Sequence, residues 1–282
     1  MKKTRLEKIV FGIVFGIFVL YAIYLLFPFG FCLHLSLKAD PTAYTDYKMA
    51  LSIPPNFNNF LQAITNLEVN ETGFIMMVIN SIWYSFGSTF FTIFSSAMAA
   101  YVVARYKFFG RNFLYVLALV VMIIPIYGAL PAQYKLYTDI GITDSPLLLI
   151  ATPFGFGFNF LILYSFFSAL SWSYAEAAFI DGANDFTVFF RIMIPMAMPS
   201  ITAVAIMAVV TEWNNYETPI LYLPNMPTLA GGLWAYETKM EYGGSYPIYY
   251  AGMLISMVPI LIIFGIFQNT IMSNVYAGGL KG

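Results

Sequence analysis

Glu176-Ala-Ala-Phe-Ile-Asp-Gly-Ala183, followed by Phe189-Phe-Arg-Ile-Met-Ile-Pro195 and Pro199, is a short stretch of charged and small residues between two long apolar runs. Its glutamate and alanines favour a helix, and the glycine after Asp181 permits a bend. The two prolines are expected to break the next helix and to restart it as a membrane span. The stretch therefore predicts a helix–turn–helix foot that projects from a membrane into water.

The composition of the whole chain is that of a membrane protein. Of its 282 residues, 60% are hydrophobic and 10% are charged, whereas soluble domains carry about 25% charged residues. A net charge of −1 gives no electrostatic case for binding nucleic acid. Because Cys32 and His34 are the only residues of their types, a disulfide framework and a multi-histidine metal site are both excluded.

Apolar runs predict an all-α membrane protein with six transmembrane helices, each near the ~20 residues needed to cross the bilayer. Pro125 and Pro131 are expected to kink or end the third helix. The first run is too long for a signal peptide and is interpreted as an uncleaved helix. The predicted spans are about 9–35, 77–103, 112–130, 146–170, 199–222 and 249–271.

The distribution of lysine and arginine predicts the orientation. With a cytoplasmic N-terminus, Lys2, Lys3, Arg105, Arg191 and Lys281 are among the nine basic residues of 13 that lie inside. This arrangement satisfies the positive-inside rule. Both termini and the 176–199 loop are then cytoplasmic.

The loop resembles the EAA motif of ABC-importer permeases, carried here by Glu176, Ala177, Ala178, Gly182, Ile192 and Pro195. Other pieces in chain order are similar to the carbohydrate branch of that family: Asn80-Ser81, Ala99 to Asn112, Met122 to Pro125, Trp213 to Tyr216 and Ala277 to Gly282. Together they resemble the MalG-type permeases over roughly residues 75–282, and more loosely before that.

The resemblance implies a type I ABC-importer permease fold with a cytoplasmic coupling helix that docks on an ATP-binding subunit. Residues 1–74 would form the first helix and an extracytoplasmic loop, and residues 75–282 a core of five helices with a coupling loop at about 171–199. The resemblance assigns ATPase coupling to Glu176, Ala177, Ala178, Asp181, Gly182, Arg191 and Pro195. The alternative is an ordinary amphipathic loop at the membrane surface.

The resemblance also implies an assembly in the inner (cell) membrane of a bacterium or archaeon. Its other members would be a second permease, of MalF type in a heterodimer, two ATP-binding subunits and an extracytoplasmic solute-binding protein. The sequence has no Gly-Lys dipeptide and therefore no phosphate-binding P-loop. ATP and Mg²⁺ are thus expected on the partner ATPase, and this chain is expected to hold no cofactor, metal or catalytic residue.

Polar residues inside the predicted spans are the candidates for a substrate path, because such residues normally face the bundle or a wet cavity. Glu212-Trp-Asn-Asn-Tyr-Glu217 combines amides, carboxylates and aromatic rings, which suit a sugar. Alternatively, Asn214 and Asn215 only cap an interrupted helix, and Asn80 and Ser81 bond to a neighbouring helix. The pathway candidates are Glu212, Trp213, Asn214, Asn215, Tyr216, Asn159 and Tyr164.

The best-supported function is the permease of an ATP-driven sugar or oligosaccharide importer, forming half of the pathway. An ABC importer for another solute is the nearest alternative. A membrane-embedded enzyme would need a catalytic pair that a single histidine and the acids Glu212 and Glu217 do not offer. A secondary transporter working alone usually shows repeats and charges in several spans, which this chain lacks.

Overall fold

A computed structural model describes residues 4–39, 49–124, 128–152, 155–238, 240 and 244–279, with side chains described up to residue 269. Lys2, Lys3, Pro125 and Lys281 lie outside the described residues. The described helices are α1 (Arg5–Ser36), α2 (Asn58–Asn66), α3 (Phe74–Arg105), α4 (Arg111–Ile123), α5 (Leu130–Asp139), α6 (Leu148–Ala151), α7 (Phe158–Ala169), α8 (Ser173–Ile180), α9 (Asp185–Val188), α10 (Ile194–Trp213), α11 (Glu217–Tyr222), α12 (Leu229–Thr238) and α13 (Tyr246–Gly279).

The long apolar segments form helices of membrane length. Four described helices are long and apolar enough to cross a membrane: Arg5–Ser36, Phe74–Arg105, Asp185–Trp213 and Tyr246–Asn269. The first begins with a capping box, in which Thr4 accepts from the Glu7 N–H and the Glu7 carboxylate accepts from the Thr4 N–H. Two shorter apolar helices are Arg111–Ile123 and Phe158–Ala169.

The third and fourth predicted spans are shorter than the sequence suggested. The predicted helix over 112–130 ends at Ile123, and Ile124 is extended because the residue before a proline disfavours the helical conformation. Pro131 stands in the first turn of α5 and begins that helix. The predicted helix over 146–170 is divided into α6 and α7, with the N-cap Gly157 in a fully extended conformation.

The prediction that Pro195 and Pro199 break the helix is wrong. The backbone is helical from Asp185 to Trp213, through α9, a π turn at Phe189–Met193 and α10. A proline removes a single backbone donor, and a π turn lets a helix absorb such a local change. Met193 and Ala197, on either side of Pro195, are fully buried and hold the segment in place. The second helix of the foot is therefore the start of the span itself.

The chain divides into two compact units, residues 1–74 with 233–257 and residues 75–232 with 258–282. In the first, the two-residue strands β1 (Glu68–Val69) and β2 (Thr72–Gly73) pair antiparallel and lead directly into α3. The second unit has a core built from α3, α4, α7, α8, α9, the π turn and α10. Its buried members include Tyr101, Ala118, Phe167, Ala175, Val188, Phe189 and Ala197.

Candidate functional site

Residues 173–188, the foot predicted from the sequence, form a helical hairpin, and we call this segment the hairpin below. Local backbone hydrogen bonds specify its turn. At the end of α8 the Gly182 N–H donates to the Phe179 carbonyl at 3.0 Å and the Ala183 N–H to the Ala178 carbonyl at 2.9 Å. This is a Schellman motif, and it requires the left-handed conformation that Gly182 adopts, with φ +85°. Asn184 then caps α9, its side-chain oxygen accepting from the Thr187 N–H at 2.8 Å. The bend predicted at Gly182 is confirmed.

The outer face of α8 carries the residues assigned to coupling. Glu176, Ala177, Asp181 and Gly182 are exposed, and Ala178 is partly buried. Arg191 and Pro195 are exposed as well, but they lie further along, on the π turn and the first turn of α10. Ala177 and Ala178 have small side chains, so another surface can approach the backbone of α8 closely at these two positions.

The opposite face of the hairpin is rooted in the core of the second unit. Ala175 and Val188, one on each arm, are fully buried, and Phe189 packs beside Tyr101 with ring centroids 4.9 Å apart. The hairpin thus combines an exposed tip with a base that is buried in the core.

Two residues at the end of α3 bond to the chain on both sides of α8. The Arg105 guanidinium donates to the Leu170 carbonyl and lies 5.6 Å from the centroid of the Trp172 ring, just before α8 begins. The Tyr106 hydroxyl donates to the Asp185 carboxylate at 2.5 Å, where α9 begins. Arg105 and Tyr106 therefore form a clasp between α3 and the hairpin, and we use that name for these two residues below.

The clasp tyrosine is electrostatically unusual. Burial raises the pKa of the Tyr106 hydroxyl, and its hydrogen bond to Asp185 raises that pKa further. The hydroxyl of Tyr101 lies 3.4 Å from that of Tyr106 and is the donor, because the Tyr106 proton is already directed at Asp185. Tyr106 is therefore a neutral donor over the physiological pH range.

The second candidate region is the helix break at residues 214–216, between α10 and α11. Asn215 stabilises this break: its side-chain oxygen accepts from the Thr218 N–H at 3.2 Å. Its amide nitrogen lies 3.2 Å from Glu212 Oε2, 3.2 Å from the Thr218 hydroxyl and 3.3 Å from the Tyr84 hydroxyl. An amide group has two N–H donors, so these three acceptors compete for them.

The remaining pathway candidates differ in exposure. Trp213 is only 5% exposed, so its ring faces are covered in this conformation, whereas Asn214 and Tyr216 are exposed. The Asn214 amide donates to the Val210 carbonyl at 2.8 Å. Asn159 is half-buried on α7, and the Tyr164 ring packs on Tyr115 at 4.6 Å. The break thus brings together Glu212 and Asn215, while Tyr164 belongs to an aromatic stack between α4 and α7.

Polar residues in the first turns of α3 bond to the start of α12 and to the segment just before it. The Asn80 amide donates to the Pro227 carbonyl at 3.0 Å, and the Ser81 hydroxyl accepts from the Leu229 N–H at 2.7 Å. Both side chains are buried. They fix the start of α12, so the expected bond to a neighbouring helix is confirmed for Ser81, whose partner Leu229 begins α12, whereas the Asn80 partner Pro227 lies just before that helix.

Comparison with known proteins identifies the family. A family profile described as binding-protein-dependent transport system inner membrane component matches residues 92–274, well over half of the chain. The chain belongs to this family. It is a membrane-embedded transport subunit, as its resemblance to ABC-importer permeases implied.

Individual relatives and a solved structure agree with this assignment. The arabinooligosaccharides transport system permease protein AraQ of Bacillus subtilis is 30% identical, with 94% of each chain covered. The diacetylchitobiose uptake system permease protein NgcG of Streptomyces coelicolor is 28% identical over 94% of this chain and 87% of its own. A bacterial ABC transporter involved in the import of the acidic polysaccharide alginate aligns with a TM-score of 0.75 at 20% identity, covering 95% of this chain and 99% of that one. The all-α permease fold is confirmed.

Several residues of the hairpin site were not singled out by the sequence analysis. Arg105 was named only among the basic residues and within the Ala99–Asn112 piece, and Tyr106 only within that piece. Their contacts with the hairpin region were not predicted, because the partners lie 65 and 79 positions away. Tyr174 and Ile180, exposed by 53% and 86%, add apolar surface beside Ala177 on α8. Their i, i+3, i+6 spacing on the predicted helix was a signal that could have identified them.

Proposed function

We propose that this chain is the permease subunit of an ATP-driven importer of sugars or oligosaccharides, forming half of the translocation path. The observation that carries the proposal is the hairpin, whose exposed tip, with Ala177 and Gly182, stands on a base buried in the core of the second unit. The names of AraQ and NgcG, both permeases of saccharide uptake systems, favour carbohydrate over another solute.

The assembly proposed around the chain has four further components. A second permease completes the path, two ATP-binding subunits hold ATP and Mg²⁺, and an extracytoplasmic binding protein delivers the solute. This chain would bind no cofactor of its own. Both termini and the hairpin would face the cytoplasm, as the basic residues indicate.

The hairpin suggests how ATP-driven movement would reach the membrane. An ATP-binding subunit would dock on Glu176, Ala177, Ala178 and Gly182 at the tip. Because the clasp residues hold the chain on both sides of α8 against α3, a displacement of the tip would rotate or shift α3 rather than bend the loop alone. ATP closure and hydrolysis would then open the path alternately to the two sides of the membrane.

The helix break supplies the proposed contact with substrate. The exposed Asn214 and Tyr216 offer an amide and a ring face, and Glu212 offers a half-buried carboxylate. Asn215 is already engaged in holding the break, so it would position these groups rather than bind sugar itself. Asn159 and Tyr164 on α7 remain candidates for a second part of the path.

The test is co-purification of the chain from its native membranes with its subunits. The wild-type chain should bring down an ATPase and a second permease, and Glu176→Lys or Ala177→Glu should lose the ATPase. Glu68→Lys, the same charge change at an exposed site in β1, is the matched control and should retain it. Recovery of the wild-type chain alone, with uptake insensitive to ATP depletion, would overturn the proposal.

The carbohydrate assignment needs its own measurement. The binding protein that associates with the complex should be screened against oligosaccharides, amino acids and peptides. Binding confined to saccharides supports the carbohydrate assignment. Selective binding of an amino acid or a peptide would overturn that assignment and leave the assignment as an importer permease standing.

A further inference from the structure

Helix α2, between the membrane helices α1 and α3, exposes an apolar stripe. Phe57, Leu61 and Ile64 are 67%, 59% and 38% exposed. Their spacing of four and then three residues places them on one face of the helix. Leu51 and Ile53, a few residues earlier, are exposed as well. Exposed apolar side chains in such a cluster indicate a surface that is covered by something other than water.

A second face of α2 is fixed to the end of α1. The Asn59 amide donates to the carbonyls of Ser36 at 2.7 Å and Lys38 at 2.8 Å, and Asn59 and Ala63 are buried. Ser36 is the last residue of α1, a helix long and apolar enough to cross the membrane. These bonds therefore hold α2 at the level where a membrane helix ends.

The third face of α2 is polar and uncharged. Asn58, Thr65 and Asn66 are exposed on it. The whole stretch from residue 49 to residue 67 contains no aspartate, glutamate, lysine or arginine. Helix α2 therefore has three faces: one is buried against protein, one is apolar and exposed, and one is polar and exposed. A helix lying in the plane of a membrane surface needs an apolar face towards the acyl chains and a polar face towards water, and α2 has both.

We propose that α2 lies in the membrane surface, with Phe57, Leu61 and Ile64 inserted at the boundary between lipid headgroups and acyl chains. The exposed apolar surface of α1 extends to Phe29 and Leu33, within two turns of the point to which α2 is tied. The stripe on α2 continues this lipid-facing surface at its end. In-plane insertion fixes the depth of α1 and keeps the connection to α3 close to the membrane.

The experiment compares the apolar and polar faces of α2 in the full chain with its co-purifying subunits. A Cys32→Ser background removes the only cysteine, and Leu61→Cys or Asn66→Cys is then labelled with an environment-sensitive fluorophore. The complex is reconstituted in phosphatidylethanolamine–phosphatidylglycerol vesicles. One quencher is a lipid with a nitroxide near the headgroup, and the other is aqueous iodide.

The label at residue 61 should be quenched at least about twofold more by the nitroxide lipid than the label at 66, with the reverse order for iodide. Equal quenching of both labels by iodide would show that the stripe faces water and would overturn the proposal. Shielding of residue 61 from both quenchers would show that a protein covers it, with the same consequence. Phe57→Cys and Asn58→Cys form a second pair, which repeats the comparison if the first is not incorporated.

Discussion

The turn of the hairpin at 173–188 precedes the long helix from Asp185 to Trp213, and the break at 214–216 follows it. Both regions carry polar residues, but they use those residues differently. In the hairpin the turn is held by backbone hydrogen bonds and by Gly182, so Glu176 and Asp181 stay exposed. At the break the side chain of Asn215 holds the backbone, with Glu212 and Tyr84 as further partners. A side chain that already bonds within the fold is less available to bind a ligand. The hairpin therefore offers more polar side chains to a partner than the helix break does.

The strongest way to break the hairpin is to change its glycine. Gly182→Val forces a β-branched residue into the left-handed region, where even an ordinary residue costs about 1–2 kcal/mol, so coupled transport should fall about tenfold or more. No atom lies within 4 Å of a Cβ built at this position, so the effect is conformational rather than steric. Transport by reconstituted complexes measures it.

Two further substitutions test this cause. Gly182→Asn should retain most transport, because asparagine tolerates the left-handed conformation. Gly157→Ala is the matched control, since Gly157 is extended and also has open space around its Cβ position. Equal losses in Gly182→Val and Gly157→Ala would contradict the conformational argument.

Local chemistry explains which features could be predicted from the sequence. The bend at Gly182 follows from the residue itself, and the end of α4 before Pro125 follows from the restriction that a proline imposes on its neighbour. Pro195 and Pro199 misled the prediction because the buried Met193 and Ala197 and the π turn at 189–193 keep the helix intact. That outcome depends on tertiary packing, which local propensity does not contain.

The candidate site was predictable only in part for the same reason. Glu176, Ala177 and Gly182 were found through their motif, but the residues that support them are remote in sequence. Arg105 reaches Leu170, and Asn215 reaches Tyr84, 131 positions away. No periodicity or spacing connects such pairs, and the burial of Trp213 also depends on packing by distant segments.

The next largest effect is expected from the clasp. Arg105→Ala removes the bond to the Leu170 carbonyl and the contact with Trp172, and a hydrogen bond to a charged group contributes about 1.5–3 kcal/mol. The hairpin should remain folded but should no longer move together with α3. Transport per ATP hydrolysed should therefore fall about fivefold, with ATP hydrolysis less affected.

Arg111→Ala is the matched control for this prediction. The Arg111 side chain donates to the Ala104 carbonyl at 3.0 Å, at the same end of α3 but without touching the hairpin. Arg105→Lys should give an intermediate ratio, because lysine keeps the charge and loses the planar group that stacks on Trp172. Equal ratios in Arg105→Ala and Arg111→Ala would mean that the clasp has no special role in coupling.

Two neighbouring asparagines test the comparison at the helix break. Asn215→Ala removes the cap on the Thr218 N–H, which is worth about 1 kcal/mol, so the midpoint of thermal unfolding should fall by a few degrees. Asn214 is exposed and donates only to a carbonyl of its own helix, so Asn214→Ala should leave the midpoint unchanged and raise KM for substrate. The reverse result, with KM changed only by Asn215→Ala, would make Asn215 the binding residue.

The smallest effect concerns the ionisation of Tyr106. Burial and the Asp185 carboxylate raise the pKa of its hydroxyl above the ordinary value of about 10, so the proton is bound more tightly in the folded chain than in the unfolded one. The stabilisation from this bond is then complete at any pH below the unfolded value and is lost only as pH rises through the folded value. Tyr106→Phe should lower coupled transport by the same factor at pH 6.5 and pH 9, values chosen to lie below about 10. The contrary result is that coupled transport by the wild type falls from the lower to the higher of these two pH values while that of Tyr106→Phe stays constant. That result would show that Tyr106 ionises in the working pH range.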